Sequence, residues 1–251
     1  MPPRTSTASR SAAGSGSRPA RSSRTAASRT SRTATSRTAT SRTATAASRT
    51  TTGTSRSGSG NGRAKRPVSS QPWLHQHGVE VQEFGTVRQF PLALSYDTRM
   101  YSCERLNKVL ADTQILYALY KKHHWLMRGP TFYQLHLLLD KHAGEQLELI
   151  DLLAERVQTL GGVAIGDPRH VAEITTVPRP PDGAEEVPAM LSRLLEAHET
   201  ILIEAHDAAA RTAGMGDDGT NDILVSDVIR TGELQAWFLA EHLVDTPLVH
   251  A

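Results

Sequence analysis

From residue 98 onward, apolar positions recur every three or four residues, the spacing of helices that each bury one stripe. Leu106, Val109, Leu110, Thr113, Leu116 with Tyr117, and Tyr120 trace the first stripe and predict a helix from about Thr98 to Met127. Gly129-Pro130 then marks a tight turn. Proline suits the first position of the helix that follows, because the N–H it lacks would be unpaired there anyway. That second helix covers about eight turns, ends at Gly161-Gly162 and folds back on the first as an antiparallel hairpin. Residues 163–188 form a long crossover with a short helical candidate, Pro168–Ile174, and a breaker run, Pro178–Gly183. A third long helix, about Ala189 to Thr212, buries Leu191, Leu194, Leu195, Leu202 and Ala205. The fourth follows Gly219-Thr220 and runs to about Leu243, with Leu224, Val228, Leu234, Trp237 and Phe238 inward. No strand-like alternation of any length occurs. The class is all-α, a four-helix bundle over 98–244 with a short C-terminal tail, 245–251. A crossover of this length joins two parallel-running helices of one bundle.

Charge changes the picture upstream. Residues 1–66 carry 13 Arg, one Lys and no acidic or aromatic residue, whereas the other 185 residues carry 14 basic and 26 acidic side chains. The near-neutral total is the sum of two opposed fields. With so little apolar surface to offset chain entropy, the first 66 residues are expected to be disordered. They contain Ser-Arg-Thr-Ala-Thr three times, at 31–35, 36–40 and 41–45. Arginine binds phosphate bidentately, and counterion release gives affinity independent of base sequence. Arg24, Arg29, Arg32, Arg37, Arg42, Arg49, Arg56, Arg63, Lys65 and Arg66 are therefore read as a DNA-binding arm. An inert linker and a cleavable transit peptide are the alternatives, but a transit peptide needs an amphipathic helix, and this run has almost no Leu or Ile to make one. Residues 67–97 are a connector, where His75, His77, Glu80 and Glu83 are either a small metal site or an ordinary polar surface.

The candidate chemistry lies on the hairpin. His124 precedes the turn, and His136, Asp140, Asp151 and Glu155 follow it. On the second helix these four project at about 0°, 40°, 60° and 100°, a single stripe of hard metal ligands. Asp140 and Asp151 are eleven residues apart, roughly 16 Å along the axis. Ligand bonds of about 2 Å cannot span that, so one ion cannot use both pairs within one chain. Either there are two poor, separate sites, or a two-fold mate completes each half. Mixed imidazole and carboxylate ligands suit iron, manganese or zinc rather than copper(I).

The residues HHW, RGPTFYQLH, LLD and LIDLLAERVQTLGG, within a match from about Phe90 to Val244, resemble the Dps proteins (DNA protection during starvation), the small-cage branch of the ferritin-like family. The resemblance implies a ferritin-like bundle that oxidises Fe(II), preferably with hydrogen peroxide, at sites shared by two-fold-related subunits, and stores ferric mineral in a dodecameric shell. By motif position His124, His136 and Asp140 are one half of that site and Asp151 and Glu155 the other. Lys121 stands where the family often has an interface lysine, and Trp125 where it has a tryptophan beside the iron. Asp217 and Asp222, in the turn GDDGTND, match the acids around the three-fold channel through which ferrous ions enter. Ser226 stands where a further acid is common, so the channel's inner ring departs from the pattern.

The lone Cys103 excludes an internal disulfide, and no apolar run approaches a membrane span. With no visible signal peptide, the expectation is a cytoplasmic, nucleoid-associated protein that contacts DNA and no membrane. Two other functions compete. An in-bundle di-iron oxygenase needs Glu-x-x-His motifs, and the chain has none. An architectural nucleoid-binding protein would use the bundle only to multimerise the arm, with little or no ferroxidase activity.

Overall fold

Helix α1, Tyr96–Leu126, opens where Ser95 accepts a hydrogen bond from the Thr98 backbone N–H at 3.0 Å. The computed structural model describes residues 66–67, 70–74 and 76–245, with no side-chain description before residue 70; all but the last residue of the 66-residue arm lie outside these. The α1 stripe is as expected: Leu106, Val109, Leu110, Thr113, Leu116 and Tyr120 are all buried. At the turn Gly129 takes φ +84°, and its carbonyl accepts the Phe132 N–H at 3.1 Å. Helix α2 runs Phe132–Thr159. Pro130 therefore sits in the turn, two residues before the helix, not at its first position.

Gly161-Gly162 does more than stop α2. Gly161 has φ +89°, and a Cβ there would meet the Arg88 carbonyl oxygen at 2.7 Å. Its own carbonyl accepts from Arg88 N and from Gln82 Nε2, both at 2.8 Å. A Cβ on Gly162 would meet Cys103 Sγ at 2.7 Å. The pair thus seats both the connector and α1 against the end of α2. Cys103 is buried there, as a helix-face filler would be, and burial pushes its thiol up to about 11.

The crossover helix α3, Pro168–Ile174, has the predicted bounds because Asp167 caps it and Pro168 opens it. Its far end is pinned to α1 by buried Asp112, which accepts from Thr175 Oγ1 (2.6 Å), Thr176 N (2.7 Å) and Thr176 Oγ1 (3.0 Å). Helix α4, Val187–Gly214, packs on α1, and α1 also packs on α2. The core between the helices is aliphatic, with Leu110, Leu139, Leu153, Leu194 and Leu224 wholly buried. One small departure from all-α is a two-residue antiparallel ladder, β1 (Arg66–Pro67) with β2 (Val79–Glu80).

The last helix corrects the reading of its inward face. It is wound as α5 (Asp218–Asp222), a π-helical segment (Ile223–Ile229) and α6 (Arg230–Glu241). Wider winding delays the helix phase. Leu224 and Val228 are buried as expected, but beyond them Gly232, Gln235 and Leu239 face inward. Leu234, Trp237 and Phe238 are outside, at 47%, 57% and 38% exposure. Among the described residues no helix is long and apolar enough to cross a membrane.

Candidate metal centre

The hairpin brings His124 and His136 face to face, with ring centroids 3.8 Å apart and planes 18° from parallel. Each ring reaches across to the other residue's backbone: His124 Nδ1 is 2.7 Å from the His136 carbonyl, and His136 Nδ1 is 3.0 Å from the His124 carbonyl. A carbonyl can only accept, so both Nδ1 atoms donate. In the neutral rings this leaves each Nε2 with its lone pair free, the form in which histidine binds a metal. Phe132, one turn earlier on α2, extends the stack at 5.0 Å from His136.

Asp140 stands one turn beyond His136, exposed, and its Oδ1 is 2.6 Å from Lys121 Nζ. The lysine's hydrogen bond and charge hold this carboxyl below its ordinary range, so it is an anion at neutral pH. Asp151 and Glu155 are exposed on the far half of α2. The chain does not bring them to the histidines. Among the described residues, no three His, Cys, Asp or Glu side chains converge closely enough to hold a metal. One chain carries the two groups of candidate ligands well apart.

The surface around the stripe is apolar where a solvated face would be polar. Trp125, Tyr133, Leu137 and Leu147 are 71%, 67%, 49% and 53% exposed. Tyr133, Leu137 and Leu147 fall in the same arc of α2 as the ligands. So does Gly144, where an added Cβ would meet nothing within 4 Å. An antiparallel register that sets His136 against Glu155 of a second copy also sets Asp140 against Asp151 and Gly144 against Leu147. One such contact would bring the two candidate groups together twice and seat a leucine on each glycine.

Comparison with known proteins identifies the family to which the chain belongs. A family model of the ferritin-like domain matches residues 103–249. The nutrient stress-induced DNA-binding protein of a Synechococcus species is 32% identical over 168 residues, which cover 67% of this chain and 95% of that one. The solved structure of DpsC from Streptomyces coelicolor matches with a TM-score of 0.67 at 83% identity, over 68% of this chain and 99% of that one. The chain belongs to the Dps family. An archaeal Dps homologue from Halobacterium salinarum, at 28% identity, gives a TM-score of 0.65 over 68% of this chain and 95% of its own.

Within this Dps fold the acids before the last helix divide. Asp217 is not a channel acid: it is 1% exposed. It caps α5 through the Thr220 N–H at 3.1 Å, and accepts from Ser102 Oγ at 2.6 Å and Arg156 at 2.5 Å. Burial pushes its carboxyl up, but these bonds and the Arg156 charge outweigh that and hold it below the usual range. Asp222 is exposed and accepts from Ser226 Oγ at 2.9 Å, so it alone of the pair faces solvent. His75 lies outside the described residues, and with it one member of the connector quartet. Sequence reasoning missed Arg156, which ties α2 to the last helix. It also missed a polar cluster inside the bundle, because Tyr120, His142, His198 and Gln235 do not share a motif.

Proposed function

We propose that this Dps-family chain oxidises Fe(II), preferably with hydrogen peroxide, at sites shared between two-fold-related subunits. It stores ferric iron in a hollow, dodecameric cage and holds DNA through the basic residues of 1–66, as a cytoplasmic, nucleoid-associated protein. The observation that carries the reading is the His124–His136 clasp. It presents two free Nε2 lone pairs beside ionised Asp140, while Asp151 and Glu155 lie on the same stripe, Asp151 roughly 16 Å beyond Asp140 and Glu155 further still. Iron is the substrate. Each shared site would draw His124, His136 and Asp140 from one chain and Asp151 and Glu155 from its mate. The imidazoles and carboxylates offer ferrous ions a hard, partly anionic shell that favours the ferric product. Peroxide takes two electrons from two ferrous ions, and two protons complete two waters. Lys121, ion-paired with Asp140, places a cation beside the developing negative charge of reduced peroxide. Trp125 stands exposed next to His124 as an apolar wall for the mate to cover.

DNA binding is drawn from the arm's charge and from likeness to the Synechococcus protein, whose name is that of a DNA-binding protein. Outside the arm the chain has a formal excess of acid, which repels phosphate. The test is ferrous oxidation by the purified protein, followed with peroxide and with oxygen as oxidant. No oxidation with either, alongside DNA binding, would leave the architectural nucleoid-binding reading in its place.

A further inference from the structure

Inside the bundle, one turn before His124, the helices bring polar side chains together in an otherwise aliphatic core. Tyr120 of α1 is wholly buried, and its hydroxyl lies 2.6 Å from Nε2 of His198 on α4, itself 1% exposed. His142 of α2 meets the same phenol ring edge-on, with centroids 5.4 Å apart and planes at 82°. Gly232 of α6 backs His198: a Cβ there would sit 3.6 Å from its Nδ1. Hydroxyl and imidazole groups are costly to bury, and a phenylalanine facing a leucine would fill this volume without that cost. What the polar pair adds is a phenol with a base within hydrogen-bonding distance, sealed from water.

We infer that Tyr120 and His198 form a proton-coupled electron donor that quenches one-electron oxidants made during iron oxidation. The inference rests on the proposed ferroxidase activity. A single ferrous ion reducing peroxide gives a ferric ion, hydroxide and a hydroxyl radical. The electron that converts this radical to a second hydroxide comes from the Tyr120 ring. Its phenolic proton crosses to His198 Nε2, leaving a neutral tyrosyl radical beside an imidazolium. A second ferrous ion then returns an electron to the ring, the proton moves back, and a second ferric ion forms. The sum is two ferrous ions and one peroxide giving two ferric ions and two hydroxides, with no radical released. Tyr120 lies four residues from His124, about 6 Å along α1.

The resting state suits this role. Burial holds His198 down to about 3, so its ring is neutral and can accept. Burial also pushes the Tyr120 phenol well above its usual range, so it keeps its proton until the ring is oxidised. An oxidised phenol is a far stronger acid than imidazolium, and the proton then moves.

The test uses the full-length assembled protein, loaded anaerobically with Fe(II), mixed with hydrogen peroxide and freeze-quenched for electron paramagnetic resonance. A tyrosyl doublet is expected in the parent and lost in Tyr120→Phe, with fewer ferric ions formed per peroxide consumed and spin-trapped hydroxyl radical increased. His198→Gln keeps the phenol but removes the base, and should lower the radical yield and alter the doublet's line shape. If Tyr120→Phe fails to assemble, an unchanged doublet in His198→Gln overturns the proposal. So does a doublet that persists in Tyr120→Phe. Iron oxidation without any tyrosyl signal overturns this inference alone; no iron oxidation overturns the ferroxidase reading with it.

Discussion

Mixing two inactive variants should restore a defined fraction of the iron-oxidising sites. His124→Ala removes one free imidazole and one side of the clasp with His136. Glu155→Ala removes an exposed carboxylate nineteen residues further along α2 than His136, roughly 28 Å away on the axis. No single ion can feel both changes inside one chain, yet in the shared-site reading both fall on the same site. Each variant alone should therefore be nearly inactive. In a mixed dimer, one site carries both defects. The other takes its histidines from the Glu155 variant and its glutamate from the His124 variant, and is whole. Random pairing makes about half the dimers mixed, so roughly a quarter of all sites should recover, as two-fold symmetry requires. The assay is the initial rate of ferrous oxidation by peroxide after co-refolding equal amounts, against each variant refolded alone. A rate no better than the mean of the two would refute the shared site.

Deleting residues 1–66 should abolish most DNA binding while leaving assembly and iron oxidation intact, and full-length binding should weaken with a slope of about −0.9 per neutralised phosphate in log K against log salt; a truncated protein that still shifts DNA at moderate salt sinks the arm. Asp222→Asn should slow iron uptake at low salt without changing the oxidation sites, since exposed carboxylates raise the local concentration of cations; unchanged uptake would make Asp222 an ordinary helix-start acid. Asp217→Ala should act on stability, by about 3–5 kcal/mol in urea unfolding, because it strands the Arg156 charge and uncaps α5; a shift under about 1 kcal/mol would show that the pair is replaceable. Burial lowers His123 and His142 to about 4 and His198 to about 3, from the usual 6.5. Their folded values are depressed, so their contribution is complete above pH 6.5 and is lost as pH falls toward those values, at about 1.4 kcal/mol per pH unit for each ring. Urea midpoints that do not fall between pH 7 and pH 5 would contradict this.

The stripe on α1 and the bounds of α3 could be read from sequence because local signals and packing agree there. Asp167-Pro168 both begins a helix and faces no competing demand. The last helix failed for a nameable reason. Counting at 100° per residue through Ile223–Ile229 assumes α-winding, and the π-helical segment makes that count wrong for everything after it. Leu234, Trp237 and Phe238 are the better hydrophobes, yet Gly232 and Gln235 face inward. Gly232 lets α6 approach Leu202 closely, and Gln235 bonds Gln146 and Glu145. For the candidate ligands, spacing along α2 was enough to place the two groups well apart, because axial rise is insensitive to side-chain detail. Spacing could not reveal the reciprocal bonds of the clasp, nor that Asp217 turns inward to Arg156 while Asp222 turns out. Those depend on contacts between elements far apart in the chain.

The division of ligands along α2 also sets an order of events. The clasp between His124 and His136 closes with the hairpin itself, using only local backbone, so the histidine half is rigid before any partner arrives. The carboxylate half is equally complete and equally useless by itself. On the proposed shared-site reading, a newly made subunit would not start peroxide chemistry, however much iron surrounds it. Quaternary assembly would switch reactivity on, at the moment when a shell exists to contain the mineral.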